Sequence, residues 1–223
     1  MNEISISDIL SELSSGSRVI LQVRHAERPK LDPNDETFGD SLPLTAEGER
    51  TARELGRLLS PYKGKVAFHS SPLLRTRMTA KLCAEGMGRD VKDIPVHERL
   101  GNGSFYYNDP AEVLEIFKPK NFFDACFEYM RTGVQKGFNG LTAASDRLEE
   151  WLTNLSDADL TIATTHDLYV AAFLAARGAY TEFSRETWPR FLDAAAIIIE
   201  SDGKRRYAFV RTGLSSGIVG VAT

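Results

Sequence analysis

The sequence predicts an α/β protein: a three-layer α/β/α sandwich with a mostly parallel sheet, an antiparallel edge and a small inserted cap at about 101–140. Three observations predict it. Short β-branched runs alternate with stretches of helical periodicity through most of the chain. The last two apolar runs are joined only by Ser201-Asp202-Gly203-Lys204, which is hairpin spacing with a turn glycine. Between Gly101 and Gly140 the alternation gives way to aromatics, proline and short helical pieces, as an insertion into a single domain would.

The elements follow in order. Ile6, Ile9, Leu10 and Leu13 lie at helical spacing behind a Ser5/Asp8 capping pair, so a short amphipathic helix precedes the first strand. Val19 to Val23 is a strand buried on both faces. From Lys30 to Pro43 the prolines and Gly39 forbid a regular helix, and the polar loop they form is placed to border a site. Thr45 is an N-cap, Glu47 and Glu49 suit the positive end of the helix behind it, and Ala52, Leu55, Leu58 and Leu59 give that helix an apolar stripe. Val66 to His69 is a second strand. Pro72 then opens a helix with Leu74, Met78 and Leu82 every four residues and Arg75 in its first turn. Val91 to Leu100 is expected to form a third strand. A helix over Leu141 to Leu155, a strand over Leu160 to Thr164 and a helix over Leu168 to Ala176 follow the cap, and the strands Ala196–Glu200 and Arg206–Val210 close the chain.

Composition narrows the function. With 223 residues, 42% of them hydrophobic, the chain is long enough for a sizeable core. A net charge of -4 argues against nucleic acid as a partner, because neutralising a phosphate backbone needs a basic face. A small anionic metabolite needs only a local pocket of arginine. No apolar stretch reaches the length of a membrane span and the opening residues do not read as a secretory signal, so a cytoplasmic location is expected. The two cysteines, Cys83 and Cys126, are expected to be reduced core thiols and form no metal-ligand cluster with histidine.

Chemistry collects at strand ends. Arg24-His25-Ala26-Glu27-Arg28 closes the first strand, Ser70-Ser71-Pro72 leads from the second to Arg75, and His166-Asp167 follows the strand that ends at Thr164. A parallel sheet brings such ends to one edge, where ligands bind in open α/β folds. Two arginines there clamp a phosphoryl group with charge-assisted hydrogen bonds, a second imidazole adds a donor, and one histidine is left to attack phosphorus. His69 and His97 lack such partners and are assigned to structure or surface. Phe105-Tyr106-Tyr107 is assigned to the cap's own core. The mixed charges of Lys118, Lys120, Arg131 and Lys136 with Glu112, Glu115, Asp124 and Glu128 are read as a solvated helical surface.

These residues resemble the histidine phosphatase superfamily from about Val19 through His166 and on to the final hairpin. Arg24-His25 is similar to its signature dipeptide, Leu44-Thr45 with Gly48 to the helix start that follows, and Ser71-Pro72 through Arg75 and Thr79-Ala80 to its second phosphate-binding segment. Arg28, Arg75-Thr76 and His166-Asp167 resemble the acid-phosphatase branch, whereas Glu98-Arg99 before Gly101 resembles the mutase branch. Ala26 stands where glycine is usual and is expected to narrow the room beside the nucleophile.

The resemblance implies a metal-independent phosphatase without a cofactor, in which neutral His25 attacks a small phosphomonoester to form a phosphohistidine that water hydrolyses. Arg24, Arg75 and His166, with Arg28 binding substrate, would hold the phosphoryl oxygens. Asp167 is the first choice for protonating the leaving group and Glu98 the alternative. Glu27 is assigned to a structural ion pair. A mutase-like phosphoryl transferase and a non-catalytic phospho-ligand-binding protein are the competing functions.

Overall fold

The computed structural model describes residues 2–32, 39–101, 103, 105–116 and 122–215, so Lys118 and Lys120 and the middle of the Lys30–Pro43 loop lie outside the described residues. The elements are β1 (Glu3–Ile4), α1 (Ile6–Ser14), β2 (Arg18–Arg24), α2 (Ala46–Leu59), β3 (Val66–Ser70), α3 (Leu74–Gly86), α4 (Pro110–Ile116), α5 (Phe122–Thr132), α6 (Leu141–Thr153), β4 (Leu160–Thr165), α7 (Asp167–Ala176), β5 (Ala194–Ile199) and β6 (Arg205–Val210). The strands form one mostly parallel sheet in the order β1-β6-β5-β2-β4-β3, with the β5–β6 hairpin supplying the antiparallel pairing. Two-residue β1, too short to announce itself in the sequence, adds in parallel outside β6.

Alternation along β2 explains the three layers. Val19, Leu21 and Val23 face one apolar cluster with α1, α2 and α3, while Ile20 joins the opposite cluster built on α5, α6 and α7. A one-residue slip would put Gln22 and Arg24 where Leu21 and Val23 now lie, forfeiting about 1.5–3 kcal/mol for each buried aliphatic chain lost. Cap residues Phe105, Tyr106, Phe122, Cys126 and Tyr129 belong to the α6–α7 cluster, and the cap's apolar core is continuous with that face of the sandwich. Cys83 and Cys126 are buried free thiols in different clusters, on opposite sides of the sheet, which explains why they stay unpaired.

Several elements differ from the sequence expectation in instructive ways. α1 has the reciprocal Ser5–Asp8 capping box, and α2 starts behind Thr45 as expected, but Leu58 is exposed and the buried stripe runs through Gly48, Thr51, Ala52, Leu55, Gly56 and Leu59. Small residues line that stripe because α2 and α3 lie in backbone contact: a Cβ on Gly56 would stand 2.1 Å from the Cys83 carbonyl oxygen. α3 begins two residues after Pro72, and it buries Thr76, Thr79, Ala80, Leu82 and Cys83, with Leu74 and Met78 only half-buried. The strand expected over Val91–Leu100 does not form. One parallel bridge joins Val96 to Ser70, and the chain then turns through a single 3-10 turn at Glu98–Leu100. Pro95, which has no N–H, precedes that bridge, and Leu100 N–H closes back on the His97 carbonyl, so no ladder extends in either direction.

Candidate active site

Register brings the predicted residues together. Arg24 is level with Thr165, and both Val23 and Ser70 are level with Thr164, so the residues that follow β2, β3 and β4 leave the sheet at one edge. Arg24 shares the α7 face of β2, and its Nη2 lies 3.2 Å from Asp167 Oδ2 in the first turn of α7. Its Nη1 donates to the Pro189 carbonyl at 2.5 Å, and the Phe191 ring lies 4.3 Å under the guanidinium. Leu192, at φ 69°, is a left-handed non-glycine residue, an arrangement that stores strain next to a site. It has a visible use: Leu192 N–H donates to the Arg24 carbonyl, and Phe191 is laid against both Arg24 and the His25 ring.

His25 is buried. Its Nδ1 lies 2.8 Å from the Ala26 carbonyl oxygen, which fixes Nδ1 as the protonated nitrogen and leaves the Nε2 lone pair facing the site. Arg75 Nε donates to that lone pair at 3.2 Å, and Arg75 Nη1 donates to the Gly39 carbonyl at 2.7 Å. Burial, reinforced by Arg75, His166 and Arg24, holds the imidazole well below the ordinary histidine range, so it is neutral near neutrality. The His166 ring stands edge-on at 5.5 Å, and its Nε2 is 3.2 Å from Ser71 Oγ. Burial, with Arg75 next, pushes His166 down to about 3.

Arg28 is also buried, its Nη1 donating to the Pro29 carbonyl, and its Nε has no hydrogen-bond partner among the described residues. Burial first, then Arg24, lowers it to about 10, and burial first, then Arg28, lowers Arg75 to about 10, so both remain charged near neutral pH. Burial alone would raise the Asp167 carboxyl, but the Arg24 guanidinium above all outweighs it and holds it below the usual aspartate range. With Asp193 beside Arg24 paired to Arg211, three guanidiniums against the Asp167 carboxylate leave an excess of buried positive charge, an arrangement suited to an anion.

Glu98 lies exposed on the 3-10 turn at the rim. That turn is fastened to the site: Thr165 Oγ1 donates to the Leu100 carbonyl at 2.6 Å, and Tyr169 OH to the Gly101 carbonyl at 2.7 Å. Two neighbours of His25 have other duties than the sequence suggests. Glu27 accepts a hydrogen bond from Thr45 Oγ1 at 3.0 Å and forms no ion pair among the described residues, while the same hydroxyl caps Gly48 N–H. Ala26 is fully buried in the apolar cluster with α2 and α3, and its N–H donates to Thr79 Oγ1, so its methyl is taken up by that core. Phe191, the Pro189 carbonyl and Gly39 are site components that the strand-end argument misses. The one signal for the first two was the aromatic Trp188-Pro189-Arg190-Phe191 run immediately before β5.

With this geometry in place, comparison with known proteins gives the class. Residues 20–209 match the sequence model of the histidine phosphatase superfamily (branch 1), and the chain belongs to that family, as a phosphatase-type enzyme. The features shared with the acid-phosphatase branch therefore sit in a branch 1 chain. A phosphoglycerate mutase from Bacillus anthracis superposes with a TM-score of 0.60 at 16% identity, covering 93% of this chain and 97% of that one. A mycobacterial glucosyl-3-phosphoglycerate phosphatase superposes with a TM-score of 0.54 at 14% identity, covering 86% and 97%. No curated protein sequence matches the chain. No helix among the described residues is long and apolar enough to cross a membrane.

Proposed function

We propose that the protein hydrolyses a small phosphomonoester through a phosphohistidine on His25. The observation that carries this reading is the neutral His25 imidazole, its Nε2 turned into a cluster of Arg24, Arg28 and Arg75. A phosphate dianion entering the cluster takes over the hydrogen bond that Arg75 Nε now gives to His25, freeing the lone pair for in-line attack as the substrate arrives. Arg24, Arg75, Arg28 and His166 hold the non-bridging oxygens and stabilise charge in the transition state, the largest contribution in such chemistry. No step in this sequence calls on a metal or cofactor. Attack transfers the phosphoryl group to Nε2 and releases the alcohol, which takes up a proton from the acid; water, giving a proton back to that carboxylate, then attacks phosphorus, breaks the P–N bond, releases inorganic phosphate and returns His25 to its starting state.

For the leaving-group proton we prefer Glu98 to Asp167, because Asp167 is already engaged. Both Asp167 oxygens are engaged, one by Arg24 and the other by the Leu168 N–H, and the carboxyl is held ionised. Asp167 is therefore assigned to holding Arg24, and Glu98 on the rim to protonating the departing alcohol.

The test is acid-quench trapping during turnover of a panel of phosphorylated metabolites, with release of inorganic phosphate followed in parallel. Wild type should accumulate acid-labile phosphoenzyme and His25→Ala should not. Activity surviving in His25→Ala would refute the reading, and transfer to an acceptor without phosphate release would assign the site to a mutase. Glu98→Gln should slow alkyl phosphates far more than aryl phosphates, by about 100-fold or more. Asp167→Asn should slow both alike.

A further inference from the structure

His69 and His97 belong to no part of the phosphate cluster, yet they form a connected pair beside it. His69 is the fourth residue of β3, buried one position before Ser70, and its Nδ1 lies 3.1 Å from His97 Nε2. The rings are 5.2 Å apart, and the far side of His97 rests edge-on against Trp151 of α6 at 5.3 Å. Backbone bonds run alongside: Ser70 N–H donates to the Pro95 carbonyl at 3.0 Å, and His97 N–H to the Ser70 carbonyl at 2.8 Å. His97 immediately precedes Glu98. Three residues further on, a Cβ placed on Gly101 would stand 3.2 Å from the Ser71 Cβ and 3.6 Å from His166 Nε2.

The shared hydrogen bond has one proton to place. His69 Nε2 is buried with no hydrogen-bond partner among the described residues. A buried lone pair without a partner is tolerated better than a buried N–H without one. His69 therefore carries its proton on Nδ1 and donates it to His97 Nε2. The arrangement needs His97 Nε2 unprotonated, and burial keeps both rings neutral, with His97 opposing His69 as well: His69 is lowered to about 4 and His97 shifts in the same direction.

We propose that His69 is a positioning residue: through its hydrogen bond to His97 it holds the Glu98 turn against the end of β3, at the height of the phosphate site. The backbone bridge at Val96 is a single one, and Thr165 and Tyr169 hold the turn only at Leu100 and Gly101, beyond Glu98, so the side-chain bond is the tie that sets the approach to Glu98 from the β3 side. The inference rests on the reading of Glu98 as the proton donor. Its signature is specific, because a displaced donor harms only reactions that need one. Poor alkoxide leaving groups need protonation; aryl oxides largely do not.

The experiment uses the full chain with glycerol phosphate and nitrophenyl phosphate as probes. His69→Leu should lower kcat on glycerol phosphate about tenfold, with nitrophenyl phosphate changed less than about twofold and KM little altered for either. His69→Asn, whose side-chain amide puts a donor where Nδ1 was, should restore most of the loss. His97→Phe keeps a ring against Trp151 without the acceptor and should reproduce the His69→Leu pattern, which covers the case in which His69→Leu folds poorly. Parallel losses on both substrates, or no rescue by asparagine, would overturn the proposal. Two controls separate it from the reading beneath it. If Glu98→Gln shows no leaving-group dependence, the donor assignment fails and the positioning role with it; if His25→Ala stays active, the phosphatase reading itself fails.

Discussion

Arg75 contributes more than a positive charge. Its Nε reaches His25 Nε2 while its Nη1 is pinned to the Gly39 carbonyl, so in the proposed reaction the planar fork would set the direction in which the guanidinium meets a phosphoryl group. Lysine at this position would keep the charge and lose the fork. Arg75→Lys should therefore lower kcat by about 100-fold, the scale for removing one preorganised donor, with a much smaller effect on the urea midpoint. Steady-state kinetics beside equilibrium unfolding would check this; a kcat within about threefold of wild type would mean that charge alone suffices. Arg24, His25, Arg75 and His166-Asp167 were legible because each follows a strand whose apolar run is plain in the sequence, and parallel strands deliver their ends to one edge. Glu27 and Ala26 were not legible in the same way. Whether a charged neighbour pairs with an ion or accepts from a helix-capping hydroxyl depends on what packs beside it, here Thr45, and whether a methyl faces a site or a core is decided by backbone direction after the strand has ended.

Helix α2 shows how an element can control chemistry it does not contain. Its first turn lies directly on the His25 motif: Thr45 N–H donates to the Glu27 carbonyl, Thr45 Oγ1 to the Glu27 carboxylate, and a Cβ on Gly48 would stand 2.1 Å from the Glu27 carbonyl oxygen. No rotamer relieves a Cβ clash with backbone. Gly48→Ala must push the helix and the 25–27 segment apart, so it should destabilise the fold by about 1–3 kcal/mol and lower kcat as well. Thr45→Val, which removes the cap without adding a clash, should cost about 1 kcal/mol. Measuring unfolding and turnover for both separates the two effects: if Gly48→Ala resembles Thr45→Val in each, the close approach does not matter. Strand β2, helix α2 and the β5–β6 hairpin were readable because burial pattern, cap and turn agree in each. The segment from Val91 to Leu100 was misread because a β-branched run is only a strand when a partner lies beside it. Beyond Val96 the backbone turns back on His97 instead.

At the scale of the whole molecule, the site ties stability to pH. An unfolded chain binds a proton on each histidine near pH 6.5, whereas the folded chain holds His69 neutral down to about 4, chiefly by burial, and holds His25 and His166 neutral well below their ordinary range for the same first reason. Each folded-state value is depressed, so the stability these residues contribute is complete above about pH 6.5 and is lost progressively as pH falls toward the folded values. For His69 the window runs from about 6.5 to about 4, with a loss on the order of a few kcal/mol across it. Asp167, depressed from the aspartate value, adds loss in the same direction at lower pH still. The urea midpoint should therefore fall between pH 7 and pH 5, and His69→Asn should flatten that fall by removing one of the protonating groups while keeping the hydrogen bond to His97. Binding of inorganic phosphate should move the midpoint up at both pH values, and more at pH 7 where the dianion is abundant, since the anion offsets the buried guanidiniums in the folded state alone. A midpoint level from pH 7 to pH 5 in wild type would mean that these imidazoles protonate in place, and a His25 that protonates in place near neutrality could not serve as the resting nucleophile.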